Sequence, residues 1–210
     1  MLDAADIARL LQPFLGEEPI SPQLVAQLQT YLDLLLRWNA RTNLTAVRDP
    51  GQIVTRHFGE SLFAARLLRD AGLLTSSLAD FGSGAGFPGV PIKLFAPEIQ
   101  LTLLESQNKK ATFLREVIRA LNLPGAEVFC GRAESWNRTA NVVTLRAVEK
   151  FESALPIAAS LVSDTGILCL LIGTGQVPAI RQVLSSARRV GEPEPVPSSE
   201  GRVVILARPF

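Results

Sequence analysis

The chain has 210 residues, with 21 Lys plus Arg against 20 Asp plus Glu and 47% hydrophobic residues. That composition suits one globular domain with a small elaboration and excludes disorder, and the net charge of +1 excludes a general polyanion binder. Any contact with nucleic acid must therefore come from local patches. Apolar runs are short and broken by charge or proline, and Met1 to Phe14 lacks a basic start leading into an apolar run. A cytoplasmic protein without membrane spans is the expectation. Cys130 and Cys169 are far apart and His57 is the single histidine, so two reduced thiols and no metal site are expected.

Up to about Leu74 the pattern is helical. Ser21-Pro22 offers an N-cap followed by proline at the first helical position, and Leu24, Leu28, Leu32 and Leu35 form one apolar face up to Trp38-Asn39. A polar connection, ARTNLTAVRDPGQ, precedes a second helix through RHFGESLFAARLL. From Leu78 the rhythm turns to strand, turn and helix. SLADF, IQLTLLE, AEVFCG, NVVTLRA and GILCLLIG read as strands, and NKKATFLREVIRALNL as an amphipathic helix. The last segment, ARRVGEPEPVPSSEGRVVILAR, reads as two strands joined by a Pro- and Ser-rich loop, an antiparallel pair at a sheet edge. The expected fold is α/β, a Rossmann-like and mainly parallel sheet spanning 78–210, preceded by a helical extension over 1–77 in one compact unit.

Gly84-Ala85-Gly86-Phe87-Pro88-Gly89 matches G-x-G-x-x-G, the spelling of a dinucleotide-binding turn. Its chemistry argues otherwise. A pyrophosphate would sit on free amides at a helix N-terminus, but Pro88 and Pro91 delete two of them and Asp80 is an acid just before the loop. A carboxylate suits a cationic ligand without phosphate, which points to S-adenosylmethionine. Glu105 ends the second strand about 20 residues past the glycines, where an acid accepts hydrogen bonds from ribose hydroxyls. The turn Gly131 to Ser135 is placed to meet an adenine edge.

The loop after the fourth strand, VVTLRAVEK, has no proline and so lacks the Asn/Asp-Pro-Pro-aromatic tetrad common in enzymes that methylate exocyclic base amines. Neither cysteine has a loop setting suited to C5 methylation. A ring nitrogen such as guanine N7 has a lone pair and no proton to lose, so it asks only for alignment and exclusion of water.

Trp38-Asn39, Asn43-Leu44-Thr45, RHFGESL (56–62), DFGSGAGFPGVP (80–91), LLES (103–106), KKATFLREV (109–117), GRAE (131–134) and LRAV (145–148) occur in that order. Together they resemble the bacterial small-subunit ribosomal RNA methyltransferases of the RsmG (GidB) family, over nearly the whole chain. The resemblance implies a cytoplasmic S-adenosylmethionine-dependent enzyme forming 7-methylguanine at guanine 527 of 16S rRNA. It implies cofactor contacts at Gly82, Phe87, Ala133, Glu134 and Arg146, to which the chemistry above adds Asp80, Gly84, Gly86 and Glu105. The partner implied is 16S rRNA or the small subunit, and a monomer is expected. Three positions depart from the family pattern: Glu60 and Asn141 stand where Asp is usual, and Ile172 precedes Gly173 where a lysine is typical.

Arg37, Arg41, Arg48 and Arg56 face a single acid, Asp49, between residues 37 and 57, a candidate phosphate-contacting surface. The plainer alternative is a solvated helix-loop-helix face. Arg56, His57 and Arg146 are the candidate catalytic residues, with bracing of the cofactor wall as the alternative role for Arg56 and His57. Lys93, near the start of the first α/β helix, is a further candidate for RNA contact, and Trp38 is expected in the core. The rivals to an RNA guanine-N7 methyltransferase are a small-molecule methyltransferase, a non-catalytic RNA-binding relative and an NAD-linked oxidoreductase.

Overall fold

The computed structural model describes residues 2–74, 76–148, 150–184 and 188–209. Two helices open the chain, α1 (Ala4–Leu15), capped by the Asp3 carboxylate, and α2 (Pro22–Asn39), capped by the Ser21 hydroxyl. Next, α3 (Pro50–Ile53) runs through a π-helical turn, Val54–Gly59, into α4 (Glu60–Asp70) without a break. The helix expected from Arg56 is thus longer, because Asp49 caps it at Pro50 and accepts from the Gln52 amide. The apolar spacing over 50–55 is too short to show this, whereas α1 carries both the cap at Asp3 and an apolar face of Ile7, Leu11, Phe14 and Leu15.

The sheet contains β1 (Ser77–Phe81), β2 (Gln100–Glu105), β3 (Ala126–Cys130), β4 (Ala140–Arg146), β5 (Val162–Gly173), β6 (Arg188–Val190), β7 (Glu194–Pro195) and β8 (Arg202–Pro209). Between them lie α5 (Gly89–Phe95), α6 (Asn108–Ala120), α7 (Phe151–Ser160) and α8 (Val177–Leu184). Strand order is β3-β2-β1-β4-β5-β8-β6, with β7 also on β8. Pairings from β3 to β5 are parallel, and β8 runs antiparallel to β5, β6 and β7. The closing strands form the expected antiparallel pair at the sheet edge, with β8 beside β5 and β6 at the rim.

Alternating side chains of the strands feed two cores. Leu78, Leu101, Leu103 and Val142 face the helices of the extension together with α5 and α6, whereas Ala79, Phe81, Leu104, Val143 and Leu145 face α7 and α8. The first core joins Leu11, Phe14, Leu28 and Leu35 of the extension to Phe113 and Leu114 without interruption. Asn141, at one of the family departures, accepts from the Ser77 hydroxyl and pins β4 to β1. Parallel order reverses between β1 and β4, which opens the sheet at their carboxyl ends.

Candidate active site

Two chambers lie outside the carboxyl ends of β1 to β4 and meet at Gly82. The larger, about 770 Å³, is walled by loops: Gly82 after β1, Ser106 after β2, Arg132, Ala133 and Glu134 after β3, and Val148 and Lys150 after β4. The smaller, about 270 Å³, is walled by Leu44 to Ala46, His57, Gly82 to Ala85, Phe87, Lys110, Arg146 and Ala147.

The glycine loop divides its labour. Gly84 has φ +58° and a Cβ there would meet nothing nearer than the Gly82 carbonyl oxygen at 3.8 Å, so this glycine faces open space. Gly86, at φ +91°, packs inward, where a Cβ would lie 2.5 Å from the Tyr31 hydroxyl. Tyr31 is fully buried and donates to the Ala85 carbonyl, so the extension grips the loop from behind. Gly86 is therefore a packing glycine and not a ligand-facing one, a correction to the sequence reading. Phe87 lines the smaller chamber with one edge while its ring sits among Tyr31, Phe58 and His57.

Asp80 requires a larger correction. Its side chain is on the α5 face of the sheet, fully buried, with Oδ1 accepting from the Thr144 hydroxyl at 2.7 Å and Gly89 packed against Oδ2. Burial raises its pKa to about 6 against the lowering effect of the Thr144 bond. It touches neither chamber, because its position in β1 turns the side chain towards α5. The Val90 amide is spent on the Gly86 carbonyl and Pro91 has none, so the start of α5 offers no ready phosphate seat.

Glu105 is at the end of β2 as expected, but buried and committed to backbone. Its Oε2 accepts from the Gly84 amide at 2.9 Å and its Oε1 from the Gln107 amide at 2.7 Å, tying the first loop to the second. Two lone pairs remain of a carboxylate's roughly four acceptor sites. Glu134 is exposed on the larger chamber and Ala133 is buried beside it.

The smaller chamber is held by buried charge. Arg146 Nη2 donates to Glu60 Oε2 at 2.9 Å and to the Arg56 carbonyl at 2.8 Å, and lies 3.1 Å from His57 Nδ1. The Arg146 and Glu60 side chains are 8% and 3% exposed, and Arg202 reaches the same Glu60 oxygen at 3.4 Å. Burial lowers the Arg146 pKa while Glu60 opposes it. Arg146 Nη2 has two hydrogens for these three neighbours, so His57 Nδ1 turns its lone pair to a shared, positively charged guanidinium and the imidazole is neutral. Burial, then the charges of Arg146 and Arg56, drive its pKa down to about 3. Neither ring nitrogen is free to act as a general acid or base. His57 and Arg146 are tied into this wall by these bonds.

The four candidate arginines Arg37, Arg41, Arg48 and Arg56 are all exposed. Lys93 is not. Its ammonium is buried and donates to the carbonyls of Pro97 and Ile99 at the end of α5, so it has no face for RNA. Sequence position near a helix start said nothing about which side of α5 the side chain takes. Conversely Lys110, passed over as part of a solvated face, lines the smaller chamber because it is in the first turn of α6 beside the glycine loop. Glu60, Arg202 and Lys150 were missed as well. Arg202 could have been found only through the β5–β8 register, which sets it opposite Gly173.

A family model described as rRNA small subunit methyltransferase G matches residues 24–187. The protein of that name from Xanthomonas euvesicatoria is 37% identical over 210 residues, covering 98% of this chain and 96% of its own length. This chain belongs to the GidB family of rRNA small subunit methyltransferases. Another GidB relative, from Stenotrophomonas maltophilia, is 37% identical over 171 residues, covering 80% of this chain and 78% of its own. Among solved structures, an S-adenosylmethionine-dependent methyltransferase from Aquifex aeolicus aligns with TM-score 0.63 at 14% identity, over 80% of this chain and 97% of that one. A ribosomal protein L11 methylase from Lactobacillus delbrueckii aligns with TM-score 0.60 at 13% identity, over 72% and 79%. At such identities these two establish the Rossmann-like fold. Ile172 is buried opposite Val203 on the α7 and α8 side of the sheet and lines neither chamber.

Proposed function

We propose that the protein methylates N7 of guanine 527 in 16S ribosomal RNA, with S-adenosylmethionine as methyl donor. The observation that carries this reading is the pair of chambers meeting at Gly82, one open to loop backbone and the other lined by His57, Lys110 and Arg146. Membership of the GidB family supplies the reaction class and the RNA. The cofactor fits the residues present: Gly84 leaves room where a Cβ would otherwise stand, Glu105 keeps lone pairs for ribose hydroxyls, and the start of α5 withholds the amides a pyrophosphate needs. When bound, S-adenosylmethionine supplies an electrophilic methyl group on a sulfonium.

The chain's own residues orient and enclose. Gly82, Gly84, Ala133 and Glu134 would wall the cofactor, with Phe87 at the junction. Arg37, Arg41, Arg48 and Arg56 would take RNA phosphates, leaving the target base to enter the smaller chamber. No base is needed there, since N7 has a lone pair and no proton, and the locked neutral His57 accords with that. Residues 1–77 are read as an extension folded onto the methyltransferase domain 78–210, supported by their shared core. Action in the cytoplasm, as a monomer and without a metal ion, completes the reading. Among the described residues no helix is long and apolar enough to cross a membrane.

The decisive experiment is transfer of a tritiated methyl group to deproteinised 16S rRNA and to intact 30S subunits, followed by mass mapping. Label in one of the two at the guanine is the expected result. Label in neither overturns the proposal.

A further inference from the structure

The smaller chamber contains a chain of hydrogen bonds whose protons can be counted. Arg146 Nη2 is 3.1 Å from His57 Nδ1, and His57 Nε2 is 2.8 Å from the Thr45 hydroxyl oxygen. A lone pair on Nδ1 faces the cationic guanidinium more favourably than a proton would, which assigns the imidazole proton to Nε2, facing the Thr45 oxygen. The Val47 amide also donates to the same hydroxyl oxygen, at 3.1 Å. Both lone pairs of that oxygen are then used. The hydroxyl hydrogen remains, and Thr45 can offer the chamber it lines nothing but a donor.

The loop around Thr45 is held so that this donor stays in place. Asn39, itself buried, accepts from the Leu44 and Thr45 amides through Oδ1 and donates through Nδ2 to the Thr45 carbonyl. Glu60, fixed by Arg146 and Arg202, anchors the other end of the chain. Four side chains from α2, the π-helical turn, α4 and β4 thus converge to orient one hydroxyl.

A donor at this point distinguishes purines. Beside N7, guanine presents the acceptor O6 and adenine the donor amine N6. We propose that the Thr45 hydroxyl donates to O6 of the target guanine, selecting guanine over adenine, with His57 and Arg146 as positioning residues that fix its polarity. The proposal rests on the guanine-N7 reading above. No bond is made or broken by Thr45; it aligns the base and leaves N7 unobstructed.

The test is a double-mutant cycle between protein and substrate. Methyl transfer is measured for the wild type, Thr45→Val and Thr45→Ser on 30S subunits carrying either guanine or 6-thioguanine at the target position, sulfur being the weaker acceptor. Wild type inactive on the guanine substrate sinks the functional reading itself, independently of Thr45. With wild type active, Thr45→Val should lower kcat/KM on guanine about tenfold, the scale of one lost hydrogen bond, and Thr45→Ser should stay within about twofold. Wild type should fall about tenfold on 6-thioguanine, with Thr45→Val showing no further fall. Calorimetric affinity for S-adenosylmethionine and the thermal midpoint should match wild type in both variants. Independent, multiplicative losses in the cycle would overturn the proposal, as would equal losses in the Ser and Val variants or a loss of cofactor binding in Thr45→Val.

Discussion

The two chambers meeting at Gly82 are built on opposite principles. The larger is a gap between loops, its shape set by backbone turns and small residues such as Gly82 and Ala133. The smaller is a wall of side chains from four distant segments, cemented by Glu60, Arg146 and Arg202 with most of their charge out of water. A loop-walled gap tolerates changes of chemistry and not of bulk. A wall held by buried charge tolerates neither, because removing one partner leaves another charge buried and unpaired.

Bulk on the glycine loop, where the two chambers meet, gives the largest expected effect. Gly84→Val puts a branched side chain into open space at φ +58° and should abolish S-adenosylmethionine binding in calorimetry. Gly86→Ala sharpens the contrast two residues away. Its Cβ would meet the Tyr31 hydroxyl at 2.5 Å, so it should destabilise the fold by about 1–3 kcal/mol through overpacking. Cofactor binding that survives Gly84→Val would move the cofactor away from this loop.

The same contrast explains how far the sequence could be read. β1, SLADF, matches to the residue, and the α6 and β3 segments match within a few positions, because strand alternation and helical spacing are local signals. The glycine loop was legible as a turn, yet its face assignment was not: Asp80 was placed on the ligand and belongs behind α5. Spelling gives the order of residues in a turn, whereas the side each one takes depends on what packs above, here Tyr31 from α2. The buried network was least legible. Glu60, Arg146 and Arg202 are up to 142 residues apart, and nothing local in any of them announces the others. Lys93 and Lys110 trade places for the same reason, since a lone lysine carries no signal for whether carbonyls or solvent will receive it.

Breaking the charged wall should cost stability where an equivalent change in the loop gap does not. Glu60→Gln leaves Arg146 without its anionic partner and weakens the hold on Arg202, and should destabilise the protein by about 3–5 kcal/mol in chemical denaturation. Glu134→Gln, on the exposed rim of the larger chamber, should stay within about 0.5 kcal/mol of wild type. Equal effects would mean that the two chambers are not supported differently.

Acid titration separates the network from the strand behind the loop. His57 has its folded pKa lowered to about 3 from 6.5, so its contribution to stability is complete above the unfolded value and is lost as pH falls through 6.5 towards 3. Asp80 runs the other way. Its folded pKa is raised to about 6 from 3.8, so its contribution is complete below 3.8 and is lost as pH rises through 6. Between about pH 4 and 6 the two slopes oppose, each up to roughly 1.4 kcal/mol per pH unit. His57→Gln removes one of them. The stability difference between wild type and His57→Gln should therefore shrink steadily on acidification through this window, as read by urea denaturation. A difference independent of pH would mean that His57 takes up its second proton as readily in the folded protein as in the unfolded chain.

The smallest effect concerns the outer rim of the charged chamber, where solvent screens what the interior does not. Arg56 offers its carbonyl to Arg146 and leaves its side chain exposed, so it borders the buried wall without being part of the ion network. Arg56→Ala should weaken RNA binding by one phosphate contact and reduce the slope of log K against log salt by about 1, with cofactor affinity unchanged. Lys93→Met is the matched control: the same charge is removed, but from carbonyls at the end of α5, so the slope should stay as it was while stability changes. Salt titration of 16S rRNA binding reads both variants directly. If Lys93→Met lowers the slope and Arg56→Ala does not, the RNA runs across α5 and the four exposed arginines are a solvated face after all.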